Sequence, residues 1–378
     1  MDPLFRPVDG ATCPTVDVST LHARQRAYQL LTGKGLIRIA IQLPPNQFTD
    51  NLQFEVSKVD DPYNCTSLTS NSSSSSSSTL SMYRRPLPAT NLGFLTAFMW
   101  DGREPSLAQQ SIDATMGHAE ANTAPSSDQQ NQIVAFETGI FTAQIFDFKA
   151  GNLNAAGATG GPVALSFEIA NFFIGVNDPL GLNPKGTPFN PNIFSLYKSR
   201  RWSDDEDEDA TPQRASIARG EVVFNTTQIN ITGVAGLNDV LGTDNVPGFC
   251  GTCHDTPNIG NHSVKAPLNI GVANAGSNAP PGLDISGLPV FTLKCTAGPL
   301  AGQKFVVTDP GRALITGNCA DIGKVKGPVL RGLAGRAPYF HNGSAATLMD
   351  VVNFYDQRFD IGFTDEQKQD LVNFLNAL

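Results

Sequence analysis

A chain of 378 residues, 40% of them hydrophobic, is long enough for two ordinary domains with a buried core, so the globular class is the starting point. Its 35 acidic against 26 basic residues leave a net charge of -9 without a basic cluster, which argues against nucleic acid as a partner. No run approaches the roughly 18 uncharged apolar residues of a membrane-spanning helix, and no lipid-anchor motif is present.

In chain order, the opening MDPLFRPVDG lacks the basic start, apolar run and small-residue cleavage site of a secretory leader. Two of the six cysteines stand together at Cys250 and Cys253, leaving four. In an oxidising compartment these four suit two bridges between near neighbours, Cys13 with Cys65 and Cys295 with Cys319, each able to stabilise by ~3–4 kcal/mol; four buried free thiols are the alternative. The serine-rich run from Ser70 to Thr79 cannot build a core and reads as a flexible loop. From Ser127 to Phe146 the positions Ile133, Val134, Phe136, Ile140 and Phe141 fall on one helical face, which core packing explains. Gly151 to Gly161 and Asn269 to Pro289, rich in Gly, Pro and Asn, read as long irregular loops of the kind that wrap a large cofactor. The acidic run Asp204 to Asp209 reads as solvated surface near a domain linker. Glycosylation-type triplets at Asn225 and Asn342 arise easily by chance in such a chain and are assigned nothing.

The chemistry concentrates in Gly248-Phe-Cys-Gly-Thr-Cys-His-Asp. Two thiols separated by two residues can form thioethers to the two vinyl groups of one haem, and the adjacent His254 then reaches the iron. A thioredoxin-like pair would need a βαβ setting, and a zinc site a second Cys/His pair that His262 alone does not supply. Covalent haem attachment takes place outside the cytosol, so the protein is expected to be periplasmic or otherwise extracytoplasmic, with its true beginning and leader missing from the chain given. Two further helices follow, Ala346 to Asp356 and Thr364 to Leu378; the second is opened by Thr364 and Gln367 in capping-box spacing and lined by Leu371, Phe374, Leu375 and Leu378.

From Ala215-Ser-Ile-Ala-Arg-Gly-Glu-Val-Val-Phe to Leu378 the chain resembles a cytochrome c domain. The resemblance implies an opening helix crossing the closing one, with Gly220 permitting close approach and Phe224 filling the crossing against Phe374 or Leu375. Gly327-Pro-Val-Leu-Arg-Gly-Leu-Ala-Gly-Arg-Ala-Pro-Tyr-Phe-His-Asn-Gly-Ser, followed by Thr347-Leu and Val352-Asn-Phe-Tyr, resembles the bacterial diheme cytochrome c peroxidase and MauG family, as do Pro88-Ala-Thr-Asn-Leu and Met99-Trp-Asp-Gly-Arg-Glu upstream. The likeness covers most of the chain from about Tyr83. It implies that Trp100 lies between haems and assists electron passage. It also implies that Asn91, with the backbone carbonyls of Arg336 and Pro338, holds a structural calcium. Glu120 falls at the distal position that moves protons on and off peroxide, with His118 able to share that role, and His341 matches a histidine near the haems. A buried core indole is the alternative for Trp100, a surface histidine for His118, and a structural hydrogen bond for His341.

The family's first haem needs its own Cys-x-x-Cys-His in the N-terminal domain, and this sequence holds a single such motif. The expectation is therefore a mainly α fold with an incomplete, loop-rich N-terminal peroxidase-family domain over 1–213 and a C-terminal cytochrome c domain over 214–378 carrying one covalent haem c. The resemblance implies an oxidoreductase passing electrons from a small donor, a cytochrome c or a copper protein, toward hydrogen peroxide. A monohaem electron carrier and a MauG-like oxidase of a partner protein are the alternatives. Alignment on Thr347-Leu348 puts Tyr355 at the position of the sixth iron ligand, tyrosine in the MauG branch and methionine in the peroxidase branch; Met349 is the other candidate.

Overall fold

The computed structural model describes residues 10–68, 78–203 and 211–378; most of the serine-rich run and all of the acidic run lie outside these. Helices α1 (Leu21–Ala27) and α2 (Gln29–Lys34) come first, the former capped by Thr20, whose side chain accepts from the Ala23 amide, the latter ended by Gly35 in left-handed backbone. Strands β1 (Ile37–Gln42), β2 (Phe54–Asp60) and β3 (Thr79–Arg84) follow, with β1 antiparallel to β3. Helix α3 (Leu107–Asp113) runs into a π-helical turn at Ala114–His118, then come α4 (Ser127–Thr138), a two-residue ladder of β4 (Phe146–Asp147) with β5 (Gly151–Asn152), and α5 (Pro162–Glu168). The C-terminal part comprises α6 (Pro212–Thr226), the hairpin of β6 (Ile229–Thr232) and β7 (Asn245–Gly248), strands β8 (Val290–Cys295) and β9 (Lys304–Val307), and helices α7 (Leu348–Phe359) and α8 (Asp365–Asn376).

The mainly α expectation needs correction: the chain is 31% helical and 14% strand, a mixed fold. The strands were hard to see because they are short. In β8, Phe291, Leu293 and Cys295 alternate inward with period two, and β8 is flanked by both β2 and β9 in a three-stranded sheet. Strand β2 thus brings residues 54–60 onto the C-terminal part. The bridges Cys13–Cys65 and Cys295–Cys319 form as the spacing suggested.

Helix α4 also departs from expectation. It is started by a capping box between Ser126 and Gln129 but stops at Thr138 before Gly139, none of its residues is buried, and Phe136 is 70% exposed. Phe141, beyond the helix, packs edge-on against the buried Phe94 instead. The apolar periodicity therefore reported a surface helix followed by an extended segment.

The largest core cluster sits where α6 crosses α8. A Cβ on Gly220 would overlap the Asp370 carbonyl and the Phe374 Cβ, so glycine is required for the helices to approach this closely. Phe224 meets Phe374 with ring centroids 5.9 Å apart, and Phe194, Tyr197 and Trp202 complete the aromatic layer. Asp370 pins the crossing from α8, accepting from Ser216 Oγ at 2.6 Å and from Arg219 Nε at 2.7 Å. This crossing seats the β6–β7 hairpin and the cysteine pair that follows it.

Candidate functional site

Directly after β7 the chain tightens into a single 3-10 turn at Cys250–Thr252, held by Phe249 N–H donating to Thr252 Oγ1 at 2.9 Å and His254 N–H to the Cys250 carbonyl at 3.1 Å. Glycine is needed inside the motif, because a Cβ on Gly251 would strike the Ile193 side chain. The turn gathers Cys250, Cys253 and His254 within five residues, with both thiols free. Asp255, fully buried behind them, accepts from Ser263 N–H and Oγ and lies 3.4 Å from His262 Nδ1, which fixes the loop's exit.

The decisive contact is His254 Nδ1 to the Gly260 carbonyl, 2.7 Å. A carbonyl only accepts, so Nδ1 carries the proton and Nε2 presents its lone pair. Burial pushes the imidazole down to about 4, so the ring is neutral at physiological pH, as a metal ligand must be. Burial likewise pushes both thiols up to about 12. Yet all three residues are half-buried.

Tyr355 on α7 stands close to the two thiols. Burial raises its phenol above the ordinary range, and the two cysteines are the next influences on it. Tyr355 and Cys250 pack against one apolar cluster, and Phe340, Phe354 and Phe359 surround the phenol ring at centroid distances of 6.4, 5.3 and 6.3 Å. Met349 lies half-buried near the start of α7, six residues and nearly two turns earlier.

Trp100 donates its indole N–H to the Arg85 carbonyl at 2.8 Å and meets His341 edge-to-face at 6.1 Å. His341 neighbours Phe340, so the pair joins Trp100 to the wall around Tyr355. His341 is buried 3.6 Å from Asp309, and burial holds its imidazole down at about 4. Behind it lies a network the sequence did not suggest: Arg84 grips Asp309 through two nitrogens and Asp101 through the third, while Arg103 also reaches Asp101 at 2.8 Å. Opposing charge holds both carboxyls below the usual range despite full burial. His118 and Glu120 stand solvent-exposed at and just after the π-helical turn, Glu120 with positive φ.

These residues fit a haem. The two thiols and a lone-pair nitrogen lie together within five residues, and Arg331 has Nε and Nη2 buried without an acceptor among the described residues, beside its bond to the Asn258 carbonyl. Lys326, also buried, meets the Trp100 ring at 5.9 Å; burial lowers it to about 8. A haem propionate is the kind of carboxylate that would satisfy the Arg331 donors. For calcium the expected ligands are already engaged: both ends of the buried Asn91 amide bond the Thr142 backbone at 2.8 and 2.9 Å, and the Arg336 carbonyl accepts from the Arg85 guanidinium at 3.0 Å. At the Arg336 carbonyl an ion would meet the Arg85 cation.

A neutral imidazole with its second nitrogen anchored, beside a thiol pair and a helix crossing, is the donor arrangement of the c-type cytochromes. No protein-family model matches the chain. Among curated proteins it is 38% identical over 88 residues to the cytochrome-c peroxidase IdrP1 of Denitromonas iodatirespirans, 20% of this chain and 23% of that protein. It is 37% identical over 81 residues to IdrP1 of Pseudomonas sp. (strain SCT), and 41% over 78 residues to the cytochrome-c peroxidase IdrP2 of Denitromonas iodatirespirans. The chain thus spans less than a quarter of the length of the curated relatives it matches. Among solved structures, a MauG-like protein associated with microbial copper homeostasis aligns at TM-score 0.40 and 18% identity over 78% of this chain and 73% of that one. Kuenenia stuttgartiensis hydrazine synthase aligns at 0.30 and 14% over 79% and 73%. The resemblance to the bacterial diheme cytochrome c peroxidase and MauG family read from the sequence is borne out by the curated cytochrome-c peroxidases over the stretches they match.

Proposed function

We propose that this chain is a c-type haem oxidoreductase of the diheme cytochrome c peroxidase kind, working outside the cytoplasm and holding one covalent haem on Cys250, Cys253 and His254. The observation that carries the reading is the His254 Nδ1 to Gly260 bond, which leaves the Nε2 lone pair for a metal beside the two thiols. When bound, the haem supplies one-electron chemistry at its iron. The residues do the rest: Cys250 and Cys253 fix the ring, the Gly260 carbonyl holds the imidazole, and Phe340, Phe354 and Phe359 exclude water. Trp100, held by the Arg85 carbonyl, serves as the relay for electrons supplied by a small cytochrome c or copper protein and bound for peroxide. His341 orients the indole from its position against Asp309. Glu120, with His118, would move protons at the peroxide end, whose haem needs a second Cys-x-x-Cys-His beyond the single one in this sequence. In this reading residues 1–213 form the peroxidase-family part and 214–378 the cytochrome part, docked through β2 and β8. Among the described residues no helix is long and apolar enough to cross a membrane.

Tyr355 favours a second reading. A buried phenol facing the thiol pair, in place of a methionine, matches the MauG-like alternative, in which electrons are drawn from a partner protein's side chains.

The test is rapid mixing of the reduced protein with hydrogen peroxide, and of the oxidised protein with a small cytochrome c or copper-protein donor. Trp100→Phe should slow reoxidation by peroxide while leaving reduction by the donor unchanged. Equal reoxidation in both proteins would refute the relay, and a protein inert to peroxide would be a monohaem carrier.

A further inference from the structure

One carbonyl expected to bind calcium, that of Arg336, is already held by a cation of the chain itself. Arg85 follows the last residue of β3, and its guanidinium reaches two separate segments: Nη1 donates to the Lys34 and Gly35 carbonyls at 3.4 and 3.2 Å, Nη2 to the Arg336 and Ala337 carbonyls at 3.0 and 3.5 Å. Its four acceptors are all neutral backbone oxygens, the ligand type a hard divalent cation also prefers. Gly35 has φ 59°, and a Cβ there would overlap Arg85 Nη1, so this glycine is needed for the guanidinium to seat. Arg85 also uses its backbone, donating N–H to the His341 carbonyl at 2.6 Å and accepting from Trp100 Nε1 at 2.8 Å. One residue therefore joins the end of α2, the turn at 336–337, His341 and Trp100.

The surroundings favour a spread monovalent charge over a compact divalent one. Lys326 stands over the Trp100 ring, and the Lys326 and Arg336 charges oppose each other. No carboxylate stands among the expected ligands to offset a divalent charge. A planar guanidinium with five donors satisfies several carbonyls at half the charge.

We propose that the Arg85 guanidinium is this chain's own cation in the place of a divalent ion, clamping Lys34–Gly35 to Arg336–Ala337 and so fixing Trp100, and that the chain binds no structural calcium. This stands apart from the haem reading, because it concerns the clamp whether or not Trp100 carries electrons. The haem-loaded protein should be exposed to calcium, desalted and its metal content measured by plasma mass spectrometry, and its melting followed with added calcium and with EGTA. Expected are iron without stoichiometric calcium and identical melting curves in both. About one tightly held calcium per chain, or a melting temperature lowered by EGTA, would overturn the proposal. Gly35→Ala and Arg85→Met should each lower the melting temperature and quicken protease cleavage near residues 34–35, without calcium restoring either. If both variants melt and cleave like the parent, the clamp is refuted, and the metal analysis decides the question even where a variant fails to fold.

Discussion

Gly220→Ala has an outcome whose sign distinguishes two accounts of α6. In an exposed helix interior, replacing glycine by alanine stabilises by about 1 kcal/mol, because the backbone has less freedom to lose. Here the added Cβ would overlap the Asp370 carbonyl and the Phe374 Cβ, neither of which can swing aside, since one is backbone of α8 and the other the root of a fully buried ring. The helices must separate, loosening the Phe224–Phe374 contact and the bonds from Ser216 and Arg219 to Asp370. Overpacking of this kind costs about 3 kcal/mol, leaving a net loss of about 2. With an unfolding entropy of roughly 2.1 cal/mol/K per residue over 378 residues, that lowers the melting midpoint by about 2–3 °C. Far-ultraviolet circular dichroism of the parent and the variant measures it. A variant as stable as the parent, or more so, would show that the crossing is looser than described and that Gly220 has no packing role.

Other predictions follow from the same geometry. Arg84→Met would leave Asp309 buried without its arginine and Asp101 with Arg103 alone, and should cost about 3–5 kcal/mol in urea unfolding. His341 is held near 4 when folded and near 6.5 when unfolded, so below 6.5 the unfolded chain takes up more protons and stability falls as pH drops toward 4. His341→Gln should therefore flatten the loss of stability between pH 6.5 and 4, and an unchanged slope would contradict the buried neutral ring. Tyr355→Phe should alter the ferric absorption and EPR spectra while Met349→Leu leaves them as they were; the reverse pattern would make Met349 the ligand.

The cysteine pair with its histidine, the capping box of α8 and both disulfides were legible from spacing, with two residues between the thiols, two between cap and partner and near neighbours for the bridges, whereas the glycine at the helix crossing was legible through the cytochrome c resemblance. The face of α4 was misread because periodicity records which side is apolar and not whether anything covers it. The strands were missed for a related reason, since β8 is six residues long and its alternation is clear only once β2 and β9 flank it. The charge network was out of reach for another reason. Arg84, Asp101 and Asp309 are separated by up to 225 positions, and no local pattern announces a buried carboxylate whose partner is so distant. The calcium expectation came from the resemblance at Asn91, Arg336 and Pro338, and Arg85, which holds the Arg336 carbonyl, lies outside that set.

The central claim is that haem is covalently bound by Cys250 and Cys253, and denaturing electrophoresis with haem staining tests it most directly. The protein produced with a cytochrome c maturation system should keep its haem colour on the denatured chain, and Cys253→Ala should lose much of it, because one thioether is gone. A parent chain that runs colourless after denaturation, or a Cys253→Ala variant stained as fully as the parent, would contradict it.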